Sequence, residues 1–185
     1  MQLFATESGE IDAFLFENNK TGLARDLFWS ITVDLKPIAL FDESWECSFQ
    51  CEWMTWPVRT IDDLDGVGLT QLRQPDLVEA TMYVDALHQW VTVSQLAVRR
   101  AVGAGYQADI AGEYELEANG RRQSGQFQLQ CDLVFEGIIV VPENLTPRPS
   151  NPKEVAEVVA PFISLAGFKE PRLDGFRYLL RPLSN

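Results

Sequence analysis

The stretch Tyr106-Gln107-Ala108-Asp109-Ile110-Ala111-Gly112-Glu113-Tyr114-Glu115-Leu116-Glu117-Ala118 decides the fold. Its odd-even alternation puts Tyr106, Ala108, Ile110, Gly112, Tyr114, Leu116 and Ala118 on one face, and Gln107, Asp109, Ala111, Glu113, Glu115 and Glu117 on the other. Successive side chains on a strand point to opposite faces, so a period of two marks a strand with one dry and one wet face. The same rhythm continues downstream, where Phe127, Leu129, Cys131, Leu133 and Phe135 alternate with Gln126, Gln128, Gln130, Asp132, Val134 and Glu136. Asn119-Gly120 between the two runs predicts the turn of a long hairpin.

Working outward, alternation recurs upstream. Leu3–Ala5 and Ile11–Phe16 flank a Gly-containing loop and predict a short hairpin. A long strand follows, with Leu23, Leu27, Trp29, Ile31, Val33 and Leu35 on its apolar face and Phe28 among the polar residues opposite. Lys36-Pro37 predicts its interruption, and Ile38 to Ser44 a loop. Trp45, Cys47, Phe49, Cys51 and Trp53 form the next apolar face, which places Met54 and Trp56 on the outer one. Val78–Ala86 alternates again, and Trp90–Val98, apolar on both faces, predicts a central strand. Ala86-Leu87 and Gly103-Ala104-Gly105 predict turns, and Gly137 a bulge.

The remainder changes character. Residues 142–152 are rich in proline and predict an extended linker. Asn151 then offers an N-cap, Pro152 suits the first helical turn, and Val155, Val158, Val159, Phe162 and Ile163 fall at helical spacing. The predicted organisation is one domain: an antiparallel meander over 1–141, the linker, a helix over 153–166 and a closing strand over 175–181. The fold class is mainly β, α+β by count: a curved antiparallel sheet or partly open barrel of about nine strands, with one C-terminal helix packed on it.

Charge narrows function. The chain has 15 Lys+Arg against 27 Asp+Glu, a formal net charge of −12, and the excess lies in the strand-rich part. Such a surface repels phosphate backbones and anionic lipid, which argues against nucleic-acid and membrane partners and for a basic protein partner. Met1-Gln2-Leu3-Phe4 lacks the basic and apolar regions of a signal peptide, so the chain reads as cytoplasmic and the Asn144-Leu145-Thr146 sequon as chemically silent. Cys47 and Cys51 lie four apart on one strand, roughly 13 Å at the strand rise, too far for a disulfide or a shared zinc.

Familiar catalytic patterns fail on spacing. His88 stands alone as the one histidine, with no Gly-x-Ser-x-Gly elbow. Asp62, Asp63 and Asp65 before Gly66 resemble half of a calcium loop, but the register would put Ile61 and Leu72 at liganding positions. Gly66-Val67-Gly68 lacks a nucleotide-binding context. Arg172, Arg177 and Arg181 read as a solvated rim over packed aromatics. Paired carboxylates for glycoside hydrolysis need a cleft that exposed alternating positions do not supply. No catalytic residue, cofactor or metal is predicted. The candidate partner-binding residues are Asp62, Asp63, Asp65, Glu113, Glu115, Glu117 and Asp132. The expected function is a non-catalytic acidic binding protein. Bacterial immunity proteins that inhibit basic toxins provide an analogy of class, with no shared motif. The alternative is a small-molecule or lipid carrier with an apolar cavity inside a curved sheet; an enzyme is third.

Overall fold

A computed structural model of the chain describes residues 1–85, 87–102, 105–118 and 120–183. Asn119, Gly103, Ala104 and Ala86, on which the predicted turns partly rest, lie outside the described residues. Among these residues ten strands form one sheet: β1 (Gln2–Phe4), β2 (Gly9–Asn18), β3 (Leu23–Leu40), β4 (Glu43–Met54), β5 (Glu79–Val84), β6 (Leu87–Arg100), β7 (Tyr106–Ala118), β8 (Arg121–Val140), β9 (Arg172–Asp174) and β10 (Arg177–Leu180). One α-helix, α1 (Pro152–Val159), lies among the described residues. No helix among them is long and apolar enough to cross a membrane.

From β2 to β8 each strand pairs antiparallel with the next, as the alternation predicts. The β7–β8 hairpin runs in register from Tyr106 opposite Leu133 to Ala118 opposite Arg121. Tyr106, Ala108, Ile110, Tyr114 and Leu116 are buried with Phe127, Leu129, Cys131, Leu133 and Phe135. The meander then closes in a way alternation cannot announce. The predicted N-terminal hairpin does not form; β1 and β2 both lie parallel to β8, β1 along Gln128–Gln130 and β2 along Leu133–Val140. β8 therefore carries β7 on one edge and β1 and β2 on the other, and the sheet becomes ring-like. The long β8 serves β7 with its first part and β2 with its last, which staggers the seam and departs from a regular barrel. β10 extends the edge of β8 beyond β7, and β9 pairs with β10.

Several expectations are corrected. β3 continues through Pro37 to Leu40 by means of a register shift between Leu35 and Ile38, so the predicted loop over Ile38–Ser44 is absent. Its turn is Phe41-Asp42, both at positive φ (55 and 67), the geometry a tight hairpin turn needs. Trp90 on β6 is 59% exposed, because its strand shows one face to solvent. The helix stops at Val159 instead of reaching residue 166. Pro161 supplies no backbone N–H, and Leu165–Gly167 continues only as a separate 3-10 turn. Asn151 caps α1 as expected, its Oδ1 accepting from Glu154 N at 3.0 Å. The closing strand is Arg177–Leu180.

The largest correction is at the end of β4. Trp29 pairs with Met54 but Ile31 pairs with Cys51, so β4 holds one extra residue there. Trp53 takes φ 61, the left-handed region that few non-glycine residues enter. A bulge of one residue exchanges faces for all that follows. Met54 and Trp56 are buried in the core, and Trp53 stands on the outer face.

Candidate functional site

The outer face of β2, β3 and β4 holds a groove of about 430 Å³, open to solvent. Even-numbered residues of β2, and of β3 as far as Asp34, point outward, so Asp12 lies opposite Ser30, and Phe14 opposite Phe28. The bulge on β4 presents both Glu52 and Trp53 to the same side. Trp53 packs edge-on against three rings, with centroids 5.1 Å from Phe14, 5.2 Å from Phe16 and 5.3 Å from Phe28. Phe28 is completely buried on what alternation marks as the wet face, because those rings cover it. Ser30 is 4% exposed and lines the groove between the carboxylates of Asp12 and Glu52. Its hydroxyl has no hydrogen-bond partner among the described residues. Ser30 lies across from Asp12 on the outward face of β3, so its short side chain is directed to the groove side of the sheet.

The two carboxylates sit in an unfavourable field. Burial raises the Asp12 pKa to about 6, with Glu10 and Glu52 adding to the rise and Arg177 opposing it. Burial also raises Glu52, with Glu79 second. Neither carboxylate forms an ion pair or hydrogen bond with a described residue. Elsewhere the chain supplies such partners. Arg25 grips Glu17 at 3.2 Å and lowers its pKa. Arg73 reaches the buried Asp26 at 2.8 Å.

The sequence-predicted acidic residues fall in two places, and most are engaged within the chain. Asp63 accepts from the backbone N–H groups of Arg59 and Thr60, at 2.9 and 2.8 Å, which holds its pKa low. Asp65 accepts from Arg100 N at 2.8 Å, and Asp62 pairs with the Arg100 guanidinium. The loop therefore clips Ile61–Leu64 to β6. On β7, Glu115 and Glu117 share Arg122, at 3.5 and 2.8 Å. Asp132 accepts from Gln107 at 3.3 Å, and Glu113 faces Thr92 and Gln126 in register. None of these residues lines the groove.

The contrast continues across the outer face. β2–β5 carry Glu10, Asp12, Asp34, Glu46, Glu52 and Glu79 outward, and none has an ion-pair or side-chain hydrogen-bond partner among the described residues. These four strands contain two basic residues, Arg25 and Lys36, and Arg25 is already paired with Glu17. β6–β8 instead bring arginines to their own acids, Arg99 to Asp109 and Arg122 to Glu115 and Glu117. Alternation found the charges of both faces. Which were neutralised depended on cross-strand register, and the groove depended on the bulge. The one sequence signal for it is the double-sided apolar character of Phe14, Phe16 and Phe28.

The other reactive groups are quiet. His88 Nε2 lies 2.8 Å from Thr81 Oγ1, with its ring between Tyr83 and Trp90. Cys47, Cys51 and Cys131 are buried and unbridged. Burial pushes their thiols up to about 11, about 12 and about 12, which keeps them protonated and poor nucleophiles. Among the described residues no three His, Cys, Asp or Glu side chains converge to hold a metal. No protein-family model, curated protein or solved structure matches the chain.

Proposed function

We propose that this chain is a non-catalytic binding protein that engages a basic partner protein through the outer face of β2–β5. One observation carries the reading: six outward carboxylates on these strands have no ion-pair partner among the described residues. A one-signed patch of this kind steers a basic partner to the surface and suppresses acidic competitors. The β7 face supports the role less well, because Arg122 already answers Glu115 and Glu117. An inhibitor of a cationic toxin, of the immunity type, is one protein that would use such a surface. The three unbridged cysteines agree with a reducing, cytoplasmic setting. The carrier alternative draws less support, since the inner face is one continuous cluster of packed side chains that includes Trp29, Phe49 and Trp56.

Affinity capture from the source cells at low and high salt tests the reading. The expected result is a basic protein retained at low salt, released at high salt, and lost to a variant carrying Glu10→Lys, Asp34→Lys and Glu79→Lys. An acidic partner, or one that the triple variant still retains, overturns it.

A further inference from the structure

We infer that the groove between Asp12 and Glu52 is the receptor pocket for a single arginine side chain of that basic partner. The inference rests on the proposed function and adds the chemistry of its anchor. Three independent features converge. Asp12 and Glu52 lack an ion-pair partner among the described residues, so a cation is the missing complement. The nearly buried Ser30 side chain is directed to the groove side between them, its hydroxyl with no hydrogen-bond partner there. Trp53, Phe14 and Phe16 wall one end with ring faces and edges.

Guanidinium fits this set better than ammonium. It is planar, stacks on aromatic rings and is weakly hydrated, so it enters an aromatic groove at lower desolvation cost. Its five N–H donors form a fork that suits two carboxylates, and Ser30, Thr32, Gln50 and Asn144, residues whose side chains carry further acceptor oxygens, line the same space. The source is a protein side chain rather than a free small molecule, because the unpaired carboxylates continue beyond the groove along β3, β4 and β5. That extended patch suits a basic surface around the anchor. The arrangement also explains why a tryptophan is held at φ 61: the bulge is what brings ring and carboxylate to one side.

The test uses the full chain and three N-acetylated tripeptide amides: Gly-Arg-Gly, Gly-Lys-Gly and Gly-citrulline-Gly. The readout is the indole N–H resonance of Trp53, assigned by its loss in Trp53→Phe. The arginine peptide is expected to shift it saturably, the lysine peptide to bind several-fold more weakly, and the neutral citrulline peptide to leave it unmoved. Glu52→Gln should weaken arginine binding about tenfold, the effect of losing one charge-assisted hydrogen bond. Glu113→Gln should leave it unchanged. If Glu52→Gln does not fold, Asp12→Asn takes its place with the same expectation. No shift with the arginine peptide, an equal shift with citrulline, or an equal affinity for lysine overturns the inference. If the arginine peptide fails while a basic partner is still captured and released by salt, the pocket falls and the proposed function stands. If no basic partner is captured either, both fall.

Discussion

Trp53 lies edge-on over Phe28, ring centroids 5.3 Å apart at 70°, on the outer surface of a sheet whose inner surface already holds Trp29 and Met54. The pair gives the domain a small second core. Phe28 is fully buried there, whereas Trp53 is half-buried and forms the lid. Trp53→Ala should therefore cost about 2 kcal/mol and Phe28→Ala about 3–4 kcal/mol. The double variant should cost less than their sum, since each removes the other's packing partner. Urea denaturation of the four proteins checks this. Strict additivity would show that the two rings do not support each other.

The Asp12 carboxyl, raised to about 6 by burial and by its acidic neighbours, predicts a pH-dependent cost. In the unfolded chain this carboxyl returns to the ordinary aspartate range. The folded state thus binds its proton more tightly, and stability falls as pH rises toward 6 and through it. Above that pH the full cost applies, about 1–3 kcal/mol. Asp12→Asn removes it. The variant should be more stable than the parent at pH 8 by that amount, and the advantage should shrink steadily toward pH 4. Thermal melts across this range measure it. A gain that does not vary with pH would show that the charge is not its source.

Trp29 and Trp56 neighbour each other in the core, ring centroids 6.2 Å apart, yet their indole nitrogens differ. Trp56 Nε1 donates to the Gly68 carbonyl at 2.9 Å, tying the segment after the 3-10 turn Ile61–Leu64 to the core. Trp29 Nε1 is buried with no acceptor among the described residues. Tryptophan to phenylalanine removes similar volume at each site. Trp56→Phe also leaves a carbonyl without its donor, while Trp29→Phe deletes a donor that was unsatisfied. Trp56→Phe should be the more damaging by about 1–2 kcal/mol. Equilibrium unfolding of the two variants decides it, and equal losses would contradict the hydrogen-bond argument.

What the sequence made legible follows from how local each cause is. The faces of β7 and β8 are set by nearest neighbours along the strand, so Tyr106 to Leu116 and Phe127 to Phe135 could be sorted from spacing alone. The face of Met54 and Trp56 could not. It turns on one left-handed residue, and tryptophan has no preference for that conformation. The parallel docking of β1 and β2 on β8 was equally hidden, because it joins residues more than a hundred positions apart whose alternation fits a hairpin just as well. For the acidic surface, counting charges identified Glu115 and Glu117 correctly as outward. It could not show that Arg122 reaches both of them, while Asp12 and Glu52 line a groove walled by aromatic rings.

Gly137 is where the ring and its C-terminal extension meet, and it predicts the sharpest backbone effect. At this point β8 carries β2 on one edge, with Asp12 opposite Gly137, and β10 on the other. Its φ is +121, and a Cβ would sit 2.2 Å from the Leu180 carbonyl oxygen and 3.1 Å from Arg181 Cα, both backbone atoms that cannot swing away. Gly137→Ala therefore adds a strained dihedral to a clash, and should cost at least about 3 kcal/mol. Gly22 is the control: its φ is +78, but a Cβ there meets nothing within 4 Å, so Gly22→Ala should cost about 1 kcal/mol. The two variants separate conformational strain from collision. Because the clash falls on β10, hydrogen exchange should show Tyr178–Leu180 losing protection in Gly137→Ala before β3 and β4 do. Uniform loss across the sheet would mean instead that the seam between β2 and β8 gives way first.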